Sequence, residues 1–216
     1  MMNKVSNMFS ITNALHMDEW PQIVTMQAEI IRMVANMYHG DENSCGIVTS
    51  GGTESIILAL LAYREKGKSQ GISNPNVVMP STAHAAFDKA CFYFNIEIRK
   101  IALTKDHKAD VKALKRACDS NTVAMVASCP EFPYGNFDPL PEIAAFCKKR
   151  GIGCHADCCL GSFCNAFAKD AGFKLPYEPG FNIDGVTSIS CDPHKYAFSP
   201  KGLSVCLFKD SELRSY

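Results

Sequence analysis

VVMPSTAHAAFDKACFYFNIEIRKIAL, residues 77–103, passes from an apolar run through a helical pattern to a second apolar run. Val77 to Pro80 reads as a strand, His84 to Tyr93 as a helix and Ile96 to Leu103 as the next strand. The rhythm continues on both sides. Downstream, Asp110 to Asp119 is helical, Val123 to Ser128 a strand, and Pro141 to Arg150 a helix stopped by Gly151. Gly153 to Asp157 and Val186 to Cys191 read as further strands, and Ser204 to Phe208 is expected to pair with the last. Upstream, Cys45 to Thr49 is extended, and a helix follows from Glu54 to Lys66. Asp18 to Tyr38 has helical spacing with Pro21 in its first turn, and residues 1–18 read as an irregular arm. Such alternation predicts an α/β fold with a mostly parallel central sheet flanked by helices. Residues 1–40 are expected to form an arm and helix, and 41–216 one large domain.

The chain has 216 residues, of which 47% are hydrophobic and 20% charged, the balance of a globular domain rather than a disordered one. Net charge is +0 with no basic block, which argues against a nucleic-acid partner. The eleven cysteines are odd in number, scattered, and several sit inside apolar runs. They are expected to be free thiols in a reducing, intracellular compartment. No paired C-x-x-C or histidine spacing calls for a metal. The first residues lack the apolar stretch of a signal peptide, and no run approaches the roughly 20 residues of a membrane span.

In a sheet of this kind, ligands bind beyond the carboxyl ends of the strands. Asp157 and Asp192-Pro-His-Lys195 each follow an apolar strand and are expected at that edge. Lys195 offers an imine-forming amine, provided burial or a nearby cation lowers its pKa. Lys201, between Pro200 and Gly202, competes less well and suits a loop. A carboxylate at the inner end of a strand needs a partner, and a protonated pyridine nitrogen would serve Asp157. Ser50-Gly-Gly-Thr53 opens a helix, either as an anion cradle or as a capping turn with Thr53 as the cap. His84 lies at a strand-to-helix junction facing the same edge, able to stack on a ring or carry a proton. Asp192 and His194 are candidates to flank a phosphate or orient an imine. His155 is expected on the other face of its strand, in a structural role. An amine, a proton-holding acid and a phosphate cradle together point to pyridoxal 5′-phosphate, PLP.

Thr49-Ser-Gly-Gly-Thr-Glu-Ser55, Ser81-Thr-Ala-His-Ala-Ala-Phe-Asp-Lys-Ala90, Pro130-Glu-Phe-Pro-Tyr-Gly135 and His155-Ala-Asp157 resemble, in order, blocks of the sphingosine-1-phosphate lyases. Ser188-Ile-Ser-Cys-Asp-Pro-His-Lys-Tyr196 and Ser199-Pro-Lys-Gly202 continue the series. These lyases belong to the PLP-dependent group II decarboxylases, of aspartate aminotransferase-like fold (fold type I). The resemblance implies Lys195 as the Schiff-base lysine, Asp157 on the pyridine nitrogen and His84 stacked on the ring. It also implies Gly52 and Thr53 on the phosphate, with His194 close by. Asn13 and His16 resemble the family's N-terminal segment that borders the active site. Members act as homodimers with shared pocket residues.

The implied reaction is a retro-aldol cleavage of a phosphorylated long-chain amino alcohol, giving a long-chain aldehyde and phosphoethanolamine. A full-length parent would sit at the cytosolic face of the endoplasmic reticulum membrane, and a C-terminal small domain would follow Tyr216. Cys158 stands where the family has alanine and Ala197 where it has glycine, and both are expected to line or adjoin the cofactor. A PLP-dependent amino-acid decarboxylase shares the lysine, aspartate and glycine blocks and stays open. So does a catalytically inert truncated protomer.

Overall fold

The computed structural model describes residues 2–13 and 15–216. Its strands are β1 (Cys45–Thr49), β2 (Asn76–Pro80), β3 (Glu97–Ile101), β4 (Thr122–Ser128), β5 (Gly153–Asp157), β6 (Ser188–Cys191) and β7 (Ser204–Phe208). They form one sheet in the order β1-β7-β6-β5-β4-β2-β3. The run from β3 through β6 is parallel, whereas β7 is antiparallel to both β6 and β1. Since β1 and β6 both oppose β7, they point the same way. The loops that leave β1, β2, β4, β5 and β6 therefore all emerge on one edge.

Helices α3 (Gly52–Ser69) and α4 (Ala85–Phe94) cover one face of the sheet, and α2 (Pro21–Met37), α5 (Val111–Ala117) and α6 (Leu140–Arg150) the other. Alternation along each strand divides the side chains between two cores. Val77, Met79, Val126 and Phe208 pack under Ile56, Leu60 and Phe87 of α3 and α4. Val78, Met125, Ile189 and Leu207 face Val34, Leu114 and Ile143. With helices on both sides, β2, β4, β6 and β7 are buried at every position. A fully buried side chain such as Ile189 contributes about 1.5–3 kcal/mol. The outer strand β3 is more exposed and carries Glu97, Arg99 and Lys100, charges that discourage pairing with another chain.

The fold is the predicted α/β one, with local differences. The arm holds a short helix, α1 (Met2–Met8), where irregular chain was expected. β6 starts at Ser188 rather than Val186, and β3 ends at Ile101. The short helices α7 (Ser162–Phe167), α8 (Pro193–Tyr196) and α9 (Ser211–Arg214) are not predicted from the sequence, because so short a piece shows no helical period. α6 ends at Gly151, as expected, with φ +68° in the left-handed region. All eleven cysteines are free thiols.

Candidate active site

A cavity of about 630 Å³ opens at the edge where the strand-following loops emerge. That size suits a cofactor or small ligand. The first turn of α3 contributes Gly52 and Thr53, and the β2–α4 loop Thr82 and His84. Ser128 and Pro130 enter after β4, Asp157 and Cys159 after β5, and Asp192, His194 and Lys195 after β6. Residues far apart in sequence thus meet because parallel strands deliver their following loops to the same side.

α3 begins at Gly52, with Gly51 as its N-cap, so Thr53 lies inside the first turn and is not the cap. The first-turn N–H groups have no intrahelical acceptor and face the cavity with the positive end of the helix dipole. Glu54 turns back to accept from both N and Oγ of Ser50, which lowers its pKa. Below them, Thr49, Ser55 and Ser204 are joined by buried hydroxyl contacts of 2.7 and 2.8 Å, and Ser204 donates to the Cys191 carbonyl. This ladder ties the glycine loop to β6 and β7. A Cβ on Gly52 would come within 2.8 Å of both the Asp192 carboxylate and Cys159 Sγ.

Lys195 Nζ lies 3.0 Å from Asp192 Oδ2 and is about one-third exposed. Burial, the largest single influence, favours the free amine, but Asp192 foremost, with Cys159 and Asp157 behind it, outweighs burial and raises the lysine's pKa. The direction is the reverse of the expected depression. His194 is fixed between the Leu203 carbonyl and Asp192, with its Nε2 3.7 Å from Oδ2. Ser162, at φ +41°, donates to the Asp192 carbonyl at 2.7 Å and pins the turn into α8. His84 caps α4, its Nδ1 accepting from Ala86 N at 3.0 Å, which leaves Nε2 available. Asp157 Oδ1 accepts from Cys159 N at 3.0 Å and Ser190 Oγ at 3.2 Å. Lys201 is exposed in the following loop and donates to the His194 carbonyl.

His155 corrects a second expectation. It lies on the same side of β5 as Asp157, since residues two apart on a strand share a face. It is fully buried and bonded to Ser188 and Ser190. Asn13 and His16 lie in the exposed arm and do not line the cavity. Cys158 points into the core beneath the sheet, and neither it nor Ala197 lines the cavity, whereas Cys159 does. Thr82, Ser128 and Cys159 were not anticipated. Among the described residues, Thr82 Oγ1 and Asp192 Oδ1 are two of the three buried polar side-chain atoms lacking a partner, and both residues line this cavity. Such orphans are costly unless a ligand satisfies them. A further cavity of about 540 Å³ opens beside Tyr63 and Thr187, but its Lys66 and Lys148 are already paired with Glu212 and Asp184.

Near the site, burial pushes the Asp138 carboxyl up to about 7 despite a hydrogen bond from Ser128 N. The folded chain keeps this proton while the unfolded chain loses it near 3.8, so the contribution to stability falls as pH rises from about 4 to about 7. Asp138→Asn should abolish that fall, and the variant's Tm relative to wild type should rise between pH 5 and pH 8. His155, held neutral by burial down to about 4, acts in the opposite sense as pH drops below 6.5. It is common to both chains and cancels in the comparison.

The conserved-domain profile of the pyridoxal-dependent decarboxylases matches residues 6–214. A sphingosine-1-phosphate lyase of Drosophila melanogaster is 47% identical over 210 residues, covering 96% of this chain and 38% of that protein. Sphingosine-1-phosphate lyase 1 of Mus musculus is 46% identical over 208 residues, covering 96% and 37% respectively. The structure of a Burkholderia pseudomallei sphingosine-1-phosphate lyase superposes with a TM-score of 0.95 at 34% identity, over 99% of this chain and 51% of that one. A Lactobacillus brevis glutamate decarboxylase shares the fold, with a TM-score of 0.84 at 23% identity over 94% and 49%. The chain thus spans well under half the length of the curated relatives it matches. With its profile matched almost end to end and its lysine, aspartate and glycine loop gathered in one cavity, this chain belongs to the pyridoxal-dependent decarboxylase family.

Proposed function

We propose that this chain carries the cofactor half of a PLP-dependent aldehyde lyase. Its substrate is a phosphorylated sphingoid base, cleaved to a long-chain aldehyde and phosphoethanolamine. The observation that carries the reading is the convergence of Lys195, Asp157, His84 and the α3 N-terminus on one cavity. PLP, when bound, supplies an electron sink that stabilises negative charge left on the substrate carbon when its bond breaks.

The chain's own residues do the rest. The N–H groups of Gly52 and Thr53 would hold the phosphate, with His194 lining the same cavity. Asp157 would hold a proton on the pyridine nitrogen, and His84 would lie beside the ring with its Nε2 available for a proton. Lys195 would supply the amine for the covalent link to the cofactor, with Asp192 Oδ2, 3.0 Å away, holding it at the cavity until then. Gly52→Ala should weaken PLP binding about 10- to 100-fold, since the clash with Asp192 displaces the phosphate loop. An absorbance titration with PLP measures this.

The lipid substrate is favoured over an amino acid by a neighbouring apolar cleft of about 780 Å³ that shares Pro130 and Leu160 with the cavity. Phe163, Phe167, Phe173 and Tyr196 line it, a surface suited to an alkyl chain. The exposure of Asn13 and His16 fits a homodimer in which the arm of one copy borders the pocket of the other. No described helix is long and apolar enough to cross a membrane, and the endoplasmic reticulum location is carried by the family resemblance alone.

The test divides one preparation of the PLP-loaded full-length protein, fixing one portion with borohydride and assaying the other, unreduced, for aldehyde against carbon dioxide release. Aldehyde from a phosphorylated sphingoid base supports the lyase. Carbon dioxide from an amino acid would replace it with the decarboxylase, and fixed PLP with neither product would mark an inert protomer.

A further inference from the structure

We propose that Ser190, His155 and Ser188 are positioning residues, a one-way hydrogen-bonded line begun by Tyr63 that holds Asp157 as an acceptor aimed into the cavity. The inference rests on the reading above that Asp157 meets a pyridine nitrogen.

As a carboxylate, Asp157 only accepts, so the single hydroxyl proton of Ser190 points to its Oδ1 at 3.2 Å. Ser190 must then accept at its 3.2 Å contact with His155 Nε2, which therefore carries the ring proton. His155 Nδ1 is left with a lone pair and accepts from Ser188 Oγ at 2.7 Å. Ser188, its proton committed, accepts from the Tyr63 hydroxyl at 2.5 Å. Every donor in the line points towards Asp157. A neutral imidazole is required for this, and burial keeps His155 in that form by lowering its pKa to about 4, against the opposing pull of Asp157.

Strand register and neighbouring side chains bring these partners together, and the Tyr63 hydroxyl also meets Thr187 Oγ1 at 2.7 Å. The β5–β6 register sets His155 opposite Ser188 and Asp157 opposite Ser190, and a one-residue slip would bring Ile189 there instead. Tyr63 reaches the line because residue 153 is glycine: a Cβ there would lie 2.1 Å from the tyrosine ring. Phe87 meets the His155 ring edge-on at 5.7 Å and fixes its plane. Tyr63, Ser188, His155 and Ser190 are all buried, where aligned hydrogen bonds polarise one another. Both internal bonds to Asp157 fall on Oδ1. Oδ2 has no hydrogen bond among the described residues, which leaves it for the ligand.

The test compares apparent Kd values of the full-length protein for PLP and for 1-deaza-PLP, which has carbon in place of the pyridine nitrogen. Ser190→Ala and His155→Gln are expected to weaken PLP about tenfold or more while leaving the deaza analogue within about twofold. Ser190→Thr, which keeps the hydroxyl, should retain the wild-type preference. Equal weakening of both ligands, or a preference unchanged in Ser190→Ala, would overturn the positioning role. If wild type itself does not distinguish the two ligands, the Asp157 assignment fails first and takes this inference with it. Ser190→Ala removes one buried atom and carries the test should His155→Gln not fold.

Discussion

Lys195→Ala is expected to abolish the imine absorbance of the PLP-loaded protein and to lower turnover by about three orders of magnitude or more, the scale on which loss of a covalent nucleophile registers. Among the described residues, no second lysine lines the cavity. Lys201 lies in the loop beyond α8 and binds the His194 carbonyl rather than facing the cavity. The change also takes the ammonium partner from Asp192 Oδ2, leaving it only His194 Nε2 at 3.7 Å, while Oδ1 already lacks a partner. A buried carboxylate without a counter-charge is destabilising, so the variant should melt below wild type in the absence of PLP. A double variant with Asp192→Asn should recover part of that Tm without recovering the absorbance band. An imine band that persists in Lys195→Ala would remove the lysine assignment.

Asp157→Asn should leave the fold intact and reduce turnover about 100- to 1,000-fold, the typical cost of deleting one preorganised electrostatic partner in a catalytic site. An amide matches the carboxylate in size, so the bond from Cys159 N can survive. It cannot, however, hold a proton on a pyridine nitrogen by charge. Borohydride should still fix PLP onto this variant, because Lys195 is unchanged. Measuring fixation and turnover on one preparation separates the two roles. Wild-type turnover in Asp157→Asn would refute a charge-dependent role for the carboxylate.

Much of the fold was legible because strand and helix periods are local. Apolar runs such as Val123 to Ser128 and helical spacing in Glu54 to Lys66 identify the layers, and a parallel sheet requires its ligand edge to lie beyond Asp157 and Cys191. The glycine loop and the lysine block were legible for a related reason, since each is a short contiguous segment at the end of a strand.

Contacts between segments were not legible. The sequence does not reveal that Asp192 captures Lys195, because that bond depends on how α8, a single turn, leaves β6. The hidden line behind Asp157 depends on the β5–β6 register and on the space above Gly153. The amino-acid order by itself determined the layered α/β architecture and the residue types that reach the functional edge, because backbone periodicity is set by near neighbours. Only the tertiary structure decided which carboxylate meets Lys195, which serines meet His155 and that Asn13 and His16 stay out of the cavity lining, because those follow from long-range packing and strand register.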